Sequence, residues 1–516
     1  MRIANFAFVL ALLPAACNSA TNVKVQDYGA KCDGTTDDTD AIQKAIDAVA
    51  NNGGGTVKLP GSTCLLNTAK PADHPWYFYN LMIHSKVTLE GVAGSRLLQG
   101  PNGRKDLASV PGASYMSNTV IAIGEHYSVV SFQQGPFYRL NDMTVGAKTI
   151  QIQTAGDEAH FKAGDYVAIY EYTSGDVLPG QMTQVTQVNG QTLTVADAVV
   201  RHLPTPWITN VTAKAAHDIG IRNVVIQGVL PINVLETWNL NVTNVQFISD
   251  TSIPGNIYTN VMNTMEHATF VNNLFKSING AYIPHQELGQ RDSQNGVWRG
   301  NTFHNSGVGF GEYAANMVMT GNHIFNYPDG SGIGDSIGGQ NVVFSNNDIH
   351  VMGNFTGASG WGFVLADVYG CCGYTNYTGN ISITNNTIDC AADGNSCIMN
   401  VGIASTISGN TINETGNWAQ GIYSYDSRAI INKNTINLKA NNGIVLTSYG
   451  YDAATVSNNK VNLSGSCCTG ILVQSATGGT PSTGGHQIKD NTIKGFTTPI
   501  YVDKNMHPGT IVTGNN

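Results

Sequence analysis

The chain has 516 residues, enough for several ordinary domains or for one continuous solenoid. Only 12% of them are charged, glycine numbers 58 and the net charge is −9, a composition poor for a helical protein and suited to short strands joined by tight turns. No Lys/Arg-rich run is present, which argues against nucleic acid or an anionic membrane surface as partner.

Residues 1–20 place Arg2 before an apolar run from Phe6 to Leu13, followed by small residues. The run is too short to span a bilayer and predicts a signal peptide, cleaved after Ala16 or Ala20, hence a secreted protein. Lipoprotein anchoring at Cys17 is the weaker alternative, because Pro14 stands where such sites prefer leucine. Without Cys17 the cysteines number eight (Cys32, Cys64, Cys371, Cys372, Cys390, Cys397, Cys467 and Cys468), an even set that fits disulfides in an oxidising compartment. No histidine is interleaved at ligand spacing, so a zinc site is the weaker reading and no metal is expected. Cys32–Cys64 is expected as one local bridge, with the others joining neighbouring turns of the later chain.

Residues 21–139 are expected to hold the N-terminal cap and the first turns. Asp37 or Asp38 is placed to cap a helix, and Ala41, Ile42, Ala45, Ile46 and Val49 recur at helical spacing. Gly53-Gly54-Gly55 stops that helix, and Thr56–Pro60 reads as a strand. The segment Asp27-Tyr28-Gly29-Ala30-Lys31, then Asp33-Gly34, Thr36-Asp37-Asp38-Thr39 and the helix and glycine run after it, resembles the entry of pectate-lyase-superfamily β-helix proteins, which include polygalacturonases, lyases and phage tailspikes. The resemblance is dense over residues 23–60. It implies an all-β, right-handed parallel β-helix with an N-terminal capping helix, and says little about chemistry.

Residues 140–206 alternate as half-buried strands, with Asn189-Gly190 marking a hairpin, and are read as a small antiparallel β module inserted in, or packed beside, the early turns. From 207 to 516 a repeat takes over. Asn-x-aliphatic/aromatic triplets begin at Asn273, Asn301, Asn322, Asn347, Asn386, Asn410, Asn434, Asn459 and Asn491. Subtracting successive positions gives 28, 21, 25, 39, 24, 24, 25 and 32 residues. A period in the low twenties fits one solenoid coil, with longer intervals carrying loops. Each coil is expected to bury its Ile or Phe, while Asn takes the left-handed corner and stacks on the Asn above.

The polygalacturonase motifs and the Arg-x-Pro-x-x-Arg strand of calcium pectate lyases do not occur in place, so the resemblance transfers neither activity nor catalytic residues. Function must come from a site. Gly309-Phe310-Gly311-Glu312 and Gly332-Ile333-Gly334-Asp335 lie 23 residues apart, about one coil. Adjacent coils are ~4.8 Å apart, so Glu312 and Asp335 can supply acid and nucleophile or base for glycoside cleavage. Glu287 and Asp367 are substitutes, and Glu236 and Glu266-His267 lie on earlier coils. His285 and Arg291 are candidate substrate-binding residues or lyase bases, and Tyr313, Trp361 and Tyr425 candidate sugar platforms. The expected function is a secreted glycoside hydrolase acting on a polysaccharide, as a monomer without cofactor. The alternatives are a lyase or epimerase, with Ca2+ held by the acids, and a non-catalytic glycan-binding adhesin.

Overall fold

The computed structural model describes residues 21–516 except 72–76, 106–117, 125–134, 174–175, 251–257, 264, 279–284, 291–292, 305–308, 311–313, 327–334, 338, 352–363, 368–378, 391–395, 402–403, 415–419, 426–427, 449–452, 476–480 and 482–484. In some strands, among them 258–263, 285–290, 309–310, 335–337 and 364–367, it describes the backbone alone.

Each coil lays down three strands, and each strand pairs in parallel with its counterpart one coil on. Face A begins with Thr21–Lys24, Gly55–Lys58 and Val87–Glu90, resumes at Ala216–Arg222 and ends at Ile511–Thr513. Face B runs through Leu274–Ile278, Thr302–His304, His323–Asn326, Asp348–Val351 and Thr387–Cys390. Face C includes Leu230–Val234, His285–Gln290, Gly309–Phe310, Asp335–Ile337, Val364–Asp367 and Ser396–Val401. The architecture is the expected parallel β-helix. Strand alternation sends one aliphatic or aromatic residue per strand inward. On face B these are Phe247, Phe275, Phe303, Ile324, Ile349 and Ile388, all at most 1% exposed. Phe247, Phe275 and Phe303 stack at 5.0 and 4.8 Å, and Phe270 on Trp298 at 5.2 Å.

Helix Thr39–Asn51 turns Ile42, Ala45, Ile46 and Val49 into the core at the N-terminal end. Asp38 is the N-cap by position, yet its side chain makes no capping bond. Instead it accepts the N–H groups of Lys31 (2.7 Å) and Cys32 (3.0 Å), fastening the entry loop, while Asp37 accepts from Thr39, Asn67 and Thr68.

The module is present. Strands Tyr138–Arg139, Thr149–Gln151, Tyr166–Thr173, Asp176–Asn189, Thr192–Val195 and Pro206–Asn210 form an antiparallel sheet with its own core, including Ile150, Val167, Val185, Leu193 and Ile208. It is inserted between Thr119–Ile123 of face C and Ala216–Arg222 of face A. Tyr166, Ala168, Tyr170 and Met182 line a second apolar cluster, with Val211 and Ala215, against which Trp238 of the β-helix packs.

Two expectations are corrected. The asparagine that opens each triplet does stack on the next, but the left-handed corner belongs to the residue before it: Asn272, Gly300, Gly321, Asn346, Asn385 and Gly409 have φ between 55° and 68°. The bridges after Cys32–Cys64 do not join turns. Cys390–Cys397 links the end of the face B strand Thr387–Cys390 to the start of Ser396–Val401 on the same coil, and Cys467 is bridged to its neighbour Cys468. Alternation turns both Cys390 and Cys397 inward, 0% exposed, within reach of each other across one corner. Cys371 and Cys372 lie outside the described residues.

Candidate functional site

Face C carries three of the acids that the sequence singled out, Glu287, Asp335 and Asp367. Glu287 pairs with Gly309, Gly309 with Ser336, Asp335 with Val364, and Asp367 with Val401. The Gly309–Ser336 pairing is an offset of 27 residues, not 23, so the two Gly-x-Gly-acid motifs are not in register. Asp335 stands in the column that continues through Val364, Ile398, Ile422 and Ile444, the last three in the core. Glu287 stands in the column of Met399 and Tyr423, which are partly exposed. Only the backbone of His285, Glu287, Asp335 and Asp367 is described; Glu312, Tyr313, Arg291 and Trp361 lie outside the described residues. Tyr425 is partly buried, its ring 6.2 Å from that of Tyr423.

The same coils carry a polar cluster on the outside of face B. Because Ile324, Ile349 and Ile388 face inward, alternation turns the residues on either side of them outward. Those residues are His323 and Phe325, then Asp348 and His350, then Asp389. Pairing stacks His323 against Asp348, and Phe325 against His350 and then Asp389. His350 is held between two carboxylates: its Nε2 is 3.1 Å from Asp348 Oδ1 and its Nδ1 2.9 Å from Asp389 Oδ2. His323 Nδ1 is 3.5 Å from the other oxygen of Asp348. The Phe325 ring lies parallel to His350 at 5.1 Å, and Asn413 Nδ2 donates to Asp389 Oδ1 at 2.8 Å. Asp348 and Asp389 are over a third exposed, so the cluster is open to solvent.

This arrangement has a chemical consequence. A neutral imidazole has one N–H, and two carboxylates have none, so both contacts to His350 are hydrogen bonds only when the chain Asp348–His350–Asp389 carries one extra proton. The imidazole thus bridges the two carboxylates, one at each ring nitrogen.

Sequence reasoning missed these four residues. The signal was present: the outward slots of the triplets are mostly Thr and Asn, and here they become His323, Asp348, His350 and Asp389. Glu236 is buried away from this face, 2% exposed, and burial pushes its carboxyl up to about 8 against the pull of Lys214.

Residues 22–91 match the family model described as rhamnogalacturonase A/epimerase, pectate lyase-like. Over those residues, which hold the cap and the first coils, the chain is similar to pectate-lyase-like β-helix proteins. A stretch of 36 residues is 72% identical to Alginate lyase 7 of Azotobacter vinelandii, covering 7% of this chain and 4% of that protein. The tailspike gp61 of Pseudomonas phage phi297 superposes with a TM-score of 0.59 at 14% identity, over 94% of this chain and 82% of the tailspike. PfbA, a surface adhesin of Streptococcus pneumoniae, gives 0.50 at 15% identity over 89% and 93%. At these identities the β-helix shares their fold, and no more. Among the described residues no helix is long and apolar enough to cross a membrane.

Proposed function

We propose that this β-helix is a secreted glycoside hydrolase that cuts a polysaccharide lying across the coils of residues 302–390, with Asp348 and Asp389 as its acid–base pair. The observation that carries the reading is His350 clamped between two solvent-open carboxylates on successive coils. One carboxyl gives its proton to the leaving oxygen while the other, as carboxylate, takes one from the attacking water. His350 relays the proton back between them. Phe325 and His323 offer flat faces for a sugar ring beside the pair. Glu287 and Asp367 belong to this or the neighbouring coils and would form the face C wall of the groove, with His285 and Tyr425 as substrate contacts. Asp335 stands in the inward column, and Glu312, Arg291, Tyr313 and Trp361 stay candidates on the sequence alone. The predicted signal peptide and the disulfides support secretion.

A lyase is the second reading, favoured by the name of the Azotobacter relative, Alginate lyase 7. In it His350 takes the proton next to a uronate carboxylate, the C–O bond to the leaving sugar breaks as a carboxyl gives its proton to that oxygen, and no water is consumed. The wild-type protein, screened against neutral and uronate glycans, is expected to release reducing ends without the ultraviolet absorbance of an unsaturated sugar. Asp348→Asn and Asp389→Asn are each expected to lower kcat by roughly two to four orders of magnitude with binding retained. Unsaturated product would replace hydrolysis by elimination. Normal turnover in both variants, with loss in Glu312→Gln and Asp335→Asn, would move the centre to face C.

A further inference from the structure

The strands of face A open on a left-handed residue, and in successive coils it is Asn239, His267, Asn295, Asn316 and Asn341, with φ between 55° and 58°. The asparagines hydrogen-bond up the stack: Asn316 Nδ2 donates to Asn295 Oδ1 at 3.1 Å, and Asn341 Nδ2 to Asn316 Oδ1 at 3.2 Å. Histidine replaces asparagine on one of these coils. The preceding position, which is Gln294, Ala315 and Gln340 on the coils that follow, is a carboxylate on that same coil, Glu266, 0% exposed. Two departures from the repeat therefore stand side by side, and that is where the antiparallel module reaches over. Asp197, just past the module strand Thr192–Val195, brings Oδ1 to 2.9 Å from His267 Nε2. One ligand atom each from Asp197, Glu266 and His267 lie within 4.8 Å of one another.

We propose that Asp197, Glu266 and His267 bind a divalent transition-metal ion of the zinc class, which pins the inserted module to the β-helix. Two carboxylates this close repel, and one of them is wholly buried; a histidinium offsets one negative charge, a divalent ion both. One imidazole nitrogen with two carboxylate oxygens suits zinc, whereas calcium takes oxygen ligands throughout. On binding, His267 Nε2 would donate its lone pair to the metal. Asn295 Nδ2, 3.3 Å from Glu266 Oε2, holds the buried carboxylate in orientation. The metal completes a ligand set drawn from both units, its His267 and Asp197 being separated by 70 residues in the chain.

The test uses the full chain, stripped with chelator and titrated calorimetrically with zinc chloride. His267→Asn is the informative variant, because asparagine is what the neighbouring coils carry at this left-handed position and it preserves the stack. Asp197→Asn removes the module's contribution at a site that is not fully buried. Wild type is expected to take up about one equivalent and to melt a few degrees higher with zinc. Both variants should lose affinity by at least about tenfold and show no zinc-dependent rise in melting temperature. Anomalous diffraction from zinc-soaked wild-type crystals should place the ion between Asp197 and His267, a readout that needs no variant to fold. No uptake by wild type at about 100 µM free zinc, undiminished affinity in the variants, or an anomalous peak elsewhere each overturns the proposal.

Discussion

Between strand Leu230–Val234 and strand Thr237–Thr243 the chain turns through Glu236, a left-handed residue with φ 50° and 2% exposure. Its Oε2 has no hydrogen-bond partner, and burial pushes its pKa from 4.5 to about 8. The folded protein therefore holds Glu236 as a neutral acid at pH 7, while the unfolded chain ionises it. Stability from this group is complete below about pH 4.5 and is lost as pH rises through about 8. Melting followed by circular dichroism from pH 5 to 9 should show the wild type weakening on the alkaline side. Glu236→Gln, which cannot ionise, should flatten that decline and be the more stable protein at pH 9, by roughly 1–3 kcal/mol. Parallel curves for the two proteins would mean that Glu236 does not carry the effect. Glu236 is visible in the sequence as an acid in an apolar stretch, but its burial depends on the corner between faces C and A and on the module beside it. Nothing in the local pattern encodes either.

At the scale of the repeating element, the triplet asparagines are the hydrogen-bonded spine of the molecule. Asn410 is typical: its Oδ1 accepts both the N–H and the Nδ2 of Asn386 at 2.9 Å, and its own Nδ2 donates to Ile383 O at 2.9 Å. All of this is buried, so Asn410→Ala strands two donors and a carbonyl and is expected to cost about 2–4 kcal/mol in urea unfolding. Thr411→Ala, on the outward slot next door, should change stability by no more than about 0.5 kcal/mol. Equal costs would deny the spine its role. The coil, its period and its inward Ile or Phe were all legible, because one buried position per strand repeats without exception from Phe275 to Ile493. The left-handed corner was misread for a specific reason. Several triplets are preceded by a second asparagine, at Asn272, Asn346, Asn385 and Asn458, so composition alone does not say which of the two takes positive φ. The preceding Gly300, Gly321 and Gly409 settle it, and a Cβ on Gly409 would collide with Asn385 Oδ1. The face B cluster was passed over because its charged residues occupy slots that elsewhere hold Thr and Asn and look like filler. The 23-residue match between the two Gly-x-Gly-acid motifs is the more conspicuous in sequence, yet the pairing register does not follow it.

Taken whole, the molecule is quasi-one-dimensional, each coil touching only its neighbours, so it can open from an end without losing the middle. The N-terminal end is closed by helix Thr39–Asn51. At the C-terminal end Ile511 and Val512 of the last face A strand are 56% and 40% exposed, and two buried histidines lie beneath it. His486 and His507 are 2% and 0% exposed, their rings 5.2 Å apart. His486 Nδ1 accepts from Ala454 N–H, while its Nε2 and His507 Nδ1 are buried without a partner. Burial, reinforced by His507, pushes His486 from 6.5 to about 4. Burial lowers His507 too, against the upward pull of the Gln474 carbonyl and Asp503. Here the unfolded chain takes up protons that the folded one refuses, so the stability contributed by the pair is complete above about pH 6.5 and falls away as pH drops towards 4. The C-terminal coils should therefore open first in mild acid. Hydrogen exchange at pH 5 against pH 7, corrected for intrinsic rates, is expected to show protection lost over residues 486–516 and kept over the strands between Ile381 and Leu438. His486→Gln should abolish much of that difference. Uniform loss along the chain, or none at the end, would show that the coils unfold as one unit and that the pair does not set where acid opens it.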